Sequence, residues 1–161
     1  MSDADGHKQL LAALGRIPSG LFILTARSGR AETGVLTSWV QQCSFQPPQV
    51  TVALKQGRDV NGWLTDGARF VLNILDDTQT DMIGHFGRGF ALDEPAFTDL
   101  EVERPDGGPP VLSEALAYLN CQVTGRCSAG DHDLIIGRVV GGRMLNEGYP
   151  MVHVRKSGSH Y

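Results

Sequence analysis

The stretch that most restricts the fold of this chain is Gly34-Val35-Leu36-Thr37-Ser38-Trp39-Val40-Gln41-Gln42-Cys43-Ser44-Phe45-Gln46-Pro47-Pro48. It begins as a β-branched, apolar run, passes into hydroxyl and amide side chains, and ends in two prolines, which continue neither a sheet ladder nor a helix. The pattern predicts a strand that leaves its sheet here. Small polar side chains at such an exit leave the backbone open to close approach. Its N–H and C=O groups can then meet a ligand that has a flat polar ring and a charged tail.

The flanking sequence is mostly strand. His7 to Leu14 is a short helix, with Leu10, Leu11 and Leu14 on one face and Gly15 as its stop. Leu21 to Ala26 is too short and too apolar for a surface helix, and Ser28-Gly29-Arg30 turns it back into a strand from Thr33 to Val40. Val50 to Leu54 is a third strand. Lys55-Gln56-Gly57-Arg58-Asp59 then leads into a short helix ending near Thr65, before Asp66-Gly67. The strand Arg69 to Leu75 runs into Asp76-Asp77-Thr78, good helix-start residues, and a helix carrying Met82, Ile83 and Phe86. Arg88 to Pro110 has no period and reads as a long surface excursion. Strands return at Ala117 to Arg126, Leu134 to Met144 and Met151 to Arg155, followed by a polar tail from Lys156 to Tyr161.

Strands outnumber helices, the connections are hairpin-like, and 20 glycines suit many tight turns. The expected class is therefore β-rich, an antiparallel β-barrel with a few covering helices. A chain of 161 residues fits one domain, 1–161, with its core from about 14 to 155. The charge of −4 and the lack of a dense basic run argue against nucleic acid. No apolar segment approaches the ~20 residues that span a bilayer, and the first residues are acidic, so the expected location is cytoplasmic. Cys43, Cys121 and Cys127 are odd in number and lack a Cys-x-x-Cys pair, so they are expected as buried free thiols. The histidines have no metal-ligand spacing, and no metal is expected.

No Gly-x-Gly-x-x-Gly joins a strand to a helix, and Gly87-Arg88-Gly89 lacks both the third glycine and the strand before it. A Rossmann unit is thereby excluded. No Ser-His-Asp or Cys-His arrangement has an elbow. His132, between Asp131 and Asp133 at the start of a strand, is placed to contact an anionic or amide group.

Four segments in order carry a resemblance: Thr37-Ser38-Trp39 to Pro47-Pro48, Phe70 to Leu75, Gly130-Asp131-His132, and Pro150-Met151-Val152. From about Leu14 to Arg155 the chain resembles the flavin reductase-like family, whose members are FMN-binding split barrels and typically homodimers with flavin near the subunit interface. The resemblance implies an NAD(P)H-dependent flavin oxidoreductase that binds FMN, with FAD as the open alternative. NADH or NADPH would dock on the barrel surface and pass hydride to the flavin, and a partner monooxygenase would receive reduced flavin. A flavin-binding electron carrier or sensor without turnover is the rival reading, and a split barrel that has lost flavin and serves as an interaction module is a third. Leu36, Thr37, Ser38, Trp39 and Val40 would line the flavin ring. Ser44, Lys55, Arg58 and Asp59 would surround its phosphate, with Arg88 as a further cation and Asp59 expected chiefly as a helix cap. His132 would lie near the nicotinamide. Gln41 and Gln42 depart from the small hydroxyl residues common in relatives. Without the resemblance, Thr37, Ser38 and Ser44 read as ordinary strand and turn residues and Trp39 as core. Phe22, Trp39 and Trp63 are expected in the dimer core or the ring pocket. No catalytic acid or base is expected, because hydride transfer needs proximity and alignment.

Overall fold

The structure, a computed structural model, describes residues 3–161. The first helix, α1 (Asp3–Leu14), carries Asp3 and Asp5 in its opening turn, where carboxylates suit unpaired N–H groups. It buries no residue fully. The chain then forms β1 (Ser19–Gly20), β2 (Phe22–Ser28), β3 (Ala31–Thr37), β4 (Val40–Phe45) and β5 (Pro48–Lys55). A 3-10 turn over Asp59–Gly62 precedes β6 (Arg69–Ile74) and α2 (Thr80–Gly87). After the short strands β7 (Val102–Glu103) and β8 (Val111–Leu112) come the long pair β9 (Ala117–Ala129) and β10 (His132–Met144), then β11 (Val152–His153), which pairs with β1.

Seven strands form one antiparallel sheet in the order β3-β2-β6-β9-β10-β5-β4. Its two edge strands, β3 and β4, are consecutive in the chain and joined only by Ser38 and Trp39. The sheet thus curls until its edges share a two-residue link but no ladder, which is a split barrel rather than a closed one. The curl encloses Leu24, Val52, Phe70, Leu72 and Ile135. A second core of Ile23, Leu75, Phe86, Ala96 and Leu112 lies on the other side. Neighbours Ile23 and Leu24 therefore point into different cores, so the apolar run in β2 is continuous rather than alternating. Gly34 makes the second core possible, because a Cβ there would sit 2.6 Å from a Phe86 ring carbon.

Several expectations need correction. The strand expected from Thr33 to Val40 is two elements, β3 and β4, on opposite sheet edges. Nor do the prolines take the chain out of the sheet: Gln46–Pro47 forms the turn of a hairpin, with a cis peptide, and Pro48 pairs with Phe45 as the first residue of β5. The sheet tolerates this because Pro48 is the first residue of its strand, and the ladder to β10 on the other side begins only at Gln49. Only Cys121 is buried. Cys43 sits at the irregularity between Gln42 and Ser44 on the edge strand, and Cys127 lies on the exposed far end of β9. The excursion from Arg88 to Pro110 is no free loop, because Phe90, Ala96, Phe97 and Leu100 pack into the second core. The helix expected after Asp59 shrinks to the single 3-10 turn, no side chain caps it, and Asp59 has no capping role.

Candidate functional site

The break between the edge strands is held in place by its backbone. The Val40 N–H donates to the Ser38 carbonyl at 3.1 Å, and Ala53 of β5 donates to the Trp39 carbonyl at 2.9 Å. Thr37 and Ser38 are buried, with short side chains that leave room beside them. A cavity of about 310 Å³ opens there. Leu21, Leu36, Thr37 and Ser38 form one wall, Ile83, Phe86 and Gly87 of α2 another, and Arg58, His153 and Tyr161 complete it. Its size and its mix of apolar wall and few polar groups are those of a small-ligand site.

A smaller cavity of about 170 Å³ lies beside it, lined by Trp39, Lys55, Asp131, His132, Arg155 and Tyr161 among others. Tyr161 is common to both. His132 begins β10 directly opposite Lys55 of β5, and its ring centroid lies 4.7 Å from that of Trp39. Its two acidic neighbours take different partners. Asp131 accepts a hydrogen bond from His132 Nδ1 at 2.7 Å, and that bond is the main cause holding its carboxyl below the usual range. Asp133 turns inward to Arg126, with Gln56 Nε2 at 3.2 Å and Ser128 Oγ at 3.3 Å, and the Arg126 bond chiefly lowers its carboxyl. In the neutral imidazole with its proton on Nδ1, Nε2 accepts from the Tyr161 hydroxyl, with which it is in contact.

Of the residues singled out in the sequence, Leu36, Thr37, Ser38 and Arg58 meet around the larger cavity. Trp39, Lys55 and His132 meet around the smaller one. Trp39 and Val40 also line an open groove of about 590 Å³ with Ile17, Met151 and Val152. Trp63 instead packs on the barrel core. Ser44 lies near the tip of β4, away from both cavities. Arg88 is taken up by Glu94 at 2.8 Å and stacks 3.9 Å over Phe90. Among the described residues neither Lys55 nor Arg58 forms an ion pair within 4 Å, although Lys55 lies near enough to Asp131 to help lower its carboxyl. No group of three or more His, Cys, Asp or Glu among the described residues could hold a metal.

Sequence reasoning missed Leu21, Ile83, Phe86, Gly87, His153 and Tyr161 as cavity residues. Ile83 and Phe86 carried a signal, three residues apart on one helix face next to a glycine. His153 directly follows Pro150-Met151-Val152. Tyr161 carried none, because its contact spans 29 residues.

The family model of the flavin reductase like domain matches residues 14–159. Among curated proteins, diflavin flavoprotein A 1 of a Synechocystis species is 39% identical over 151 residues, covering 92% of this chain and 26% of its own length. The chain thus spans about a quarter of the curated relatives it matches. Among solved structures, the styrene monooxygenase flavin reductase of Pseudomonas putida S12 superposes with a TM-score of 0.75 at 28% identity, covering 89% of this chain and 90% of its own. The NADH:FAD oxidoreductase of Streptomyces globisporus C-1027 shares the fold, with a TM-score of 0.84 at 21% identity over 97% of this chain and 92% of its own.

Proposed function

Since the chain belongs to the flavin reductase like family, we propose that it is a nicotinamide-dependent flavin oxidoreductase that binds FMN in the larger cavity and meets NADH or NADPH at the smaller one. The observation that carries this reading is the adjacency of the two cavities. One offers short hydroxyl side chains and an arginine outside any close ion pair, the other an imidazole and a lysine, and they share a wall at Tyr161.

The residues present fit a flavin. Leu36, Leu21 and Phe86 provide apolar surface for a flat ring, and Thr37 and Ser38 leave the backbone accessible to its polar edge. Arg58 supplies a cation for a phosphate. When bound, the flavin supplies the hydride-accepting ring nitrogen. The protein's part is to align donor and acceptor: Trp39 and His132 present two tilted rings at the junction, and Lys55 offers a charge to the donor's phosphates. No acid or base is required.

The chain is further proposed to act as a homodimer across the groove beside Trp39. Ile17 and Val152, 60% and 68% exposed, leave apolar surface there for a second copy to cover. Reduced flavin would pass to a separate monooxygenase or, as the diflavin naming of the longer relatives suggests, to another electron acceptor. The test is anaerobic stopped-flow absorbance of the FMN-loaded protein mixed with NADH and, separately, NADPH. Rapid bleaching of the flavin band by either donor is expected. Tight FMN binding with no bleaching by either would replace the reductase with an electron carrier or sensor. A protein that takes up no FMN would leave only an interaction module.

A further inference from the structure

The segment from Lys156 to Tyr161, polar and without period, is docked rather than trailing. The Gly158 N–H donates to the Leu11 carbonyl of α1 at 2.7 Å, and a Cβ at position 158 would overlap that of Leu14. A Cβ on Gly15 would in turn lie 2.9 Å from the Arg155 carbonyl and the Ser157 nitrogen. Two glycines thus allow the segment to lie directly on the end of α1. Ser157, Ser159 and His160 then form a hydrogen-bonded turn, with 2.8 Å between Ser157 Oγ and Ser159 Oγ and between Ser159 Oγ and His160 Nδ1.

That turn delivers Tyr161 to the junction of the two cavities. Its ring lies 5.3 Å from that of Trp39 and 5.9 Å from that of His132, and its hydroxyl is hydrogen-bonded to His132 Nε2, donating to the neutral imidazole. Because Nδ1 is bonded to Asp131, both nitrogens of the imidazole are engaged, and His132 is only 8% exposed. Tyr161 itself is 53% exposed, so solvent lies on its outer side and no other part of the described chain blocks an outward rotation of its side chain.

We propose that Tyr161 is a gate on the donor side: it occupies the acceptor nitrogen of His132 that the carboxamide of a nicotinamide would use, and donor binding displaces it. The inference rests on the reductase reading above. A carboxamide N–H and a phenol O–H are both donors, so one replaces the other at Nε2 without leaving the imidazole unpaired. Apparent donor affinity is then reduced by the fraction of molecules with Tyr161 docked. Saturating donor pulls all molecules open, so the effect is read in KM.

The experiment is steady-state NADH and NADPH oxidation at saturating FMN for the wild type, Tyr161→Phe and Gly158→Ala. Tyr161→Phe keeps the ring and removes the hydroxyl, and losing one such hydrogen bond should lower the donor KM about three- to tenfold. Gly158→Ala undocks the segment at its anchor and should lower KM in the same direction. An unchanged KM in both variants overturns the gate and leaves Tyr161 as packing. A KM that rises overturns it too, since Tyr161 would then be holding the donor. If the wild type and both variants oxidise neither donor, the reductase reading itself fails and the gate with it, a pattern distinct from an active wild type with an unmoved KM.

Discussion

Gly34→Ala tests the link between packing and site most directly. The added methyl would lie 2.6 Å from one ring carbon of Phe86 and 3.0 Å from a second, with Ile23 Cγ2 at 3.4 Å. Carbon atoms pack comfortably at ~3.5–4.0 Å, so β3 and α2 must separate by about 1 Å. Phe86 has no easy way out. It is 1% exposed, and the rings of His85, Phe90 and Phe97 stand 4.7, 5.8 and 5.9 Å away. Overpacking of this kind costs about 1–3 kcal/mol. Backbone preference alone would have the opposite sign, because alanine in a strand is favoured over glycine by ~0.5–1 kcal/mol. Urea unfolding should therefore show a lower midpoint with an unchanged slope. Ile83, Phe86 and Gly87 line the larger cavity, so FMN should bind more weakly as well. In a Phe86→Leu background the methyl has somewhere to go, and the two changes should couple by roughly 0.5–3 kcal/mol. A Gly34→Ala protein within ~0.5 kcal/mol of wild type, or strict additivity with Phe86→Leu, would refute the contact as the cause.

Four further outcomes are expected. Arg58→Ala should weaken FMN about ten- to hundredfold, as lost charge-assisted hydrogen bonds do, while leaving riboflavin affinity nearly unmoved, and equilibrium dialysis of the two flavins reads the difference. Of the three thiols, Cys43 and Cys127 should react promptly with a disulfide reagent and Cys121 only on unfolding, because burial pushes its thiol from the ordinary 9.0 up to about 12. The native state favours the protonated thiol, so that contribution is complete below pH 9.0 and is lost as pH climbs towards about 12; a Cys121→Ala variant should show a flatter alkaline stability profile. Asp133 has the reverse sign. Its carboxyl is held down chiefly by Arg126, so its contribution is present above the ordinary 3.8 and lost as pH falls below it, and Asp133→Asn should flatten the acid limb of the unfolding curve.

What could be read in the sequence follows the range of the interactions involved. The strands β2, β5, β6, β9 and β10 were legible because burial writes a local pattern, continuous where both faces are covered, as at Ile23 and Leu24. The division at Ser38 and Trp39 was not, since apolar residues flank it on both sides and nothing local marks a strand crossing from one sheet edge to the other. The same limit applies to the cavities. Thr37, Ser38 and Arg58 stood out by residue type, whereas Arg88, equally plausible by type, is claimed by Glu94, a partner that spacing alone did not identify. Tyr161 is the extreme case, a residue in a patternless segment whose position depends on two glycines, one beside α1 and one within the segment, allowing a close backbone approach. Since the absence of a side chain at Gly15 and Gly158 fixes that approach, the determinants of donor access include residues that touch no ligand. Substitutions at the end of α1 should then shift donor KM while leaving the flavin cavity intact.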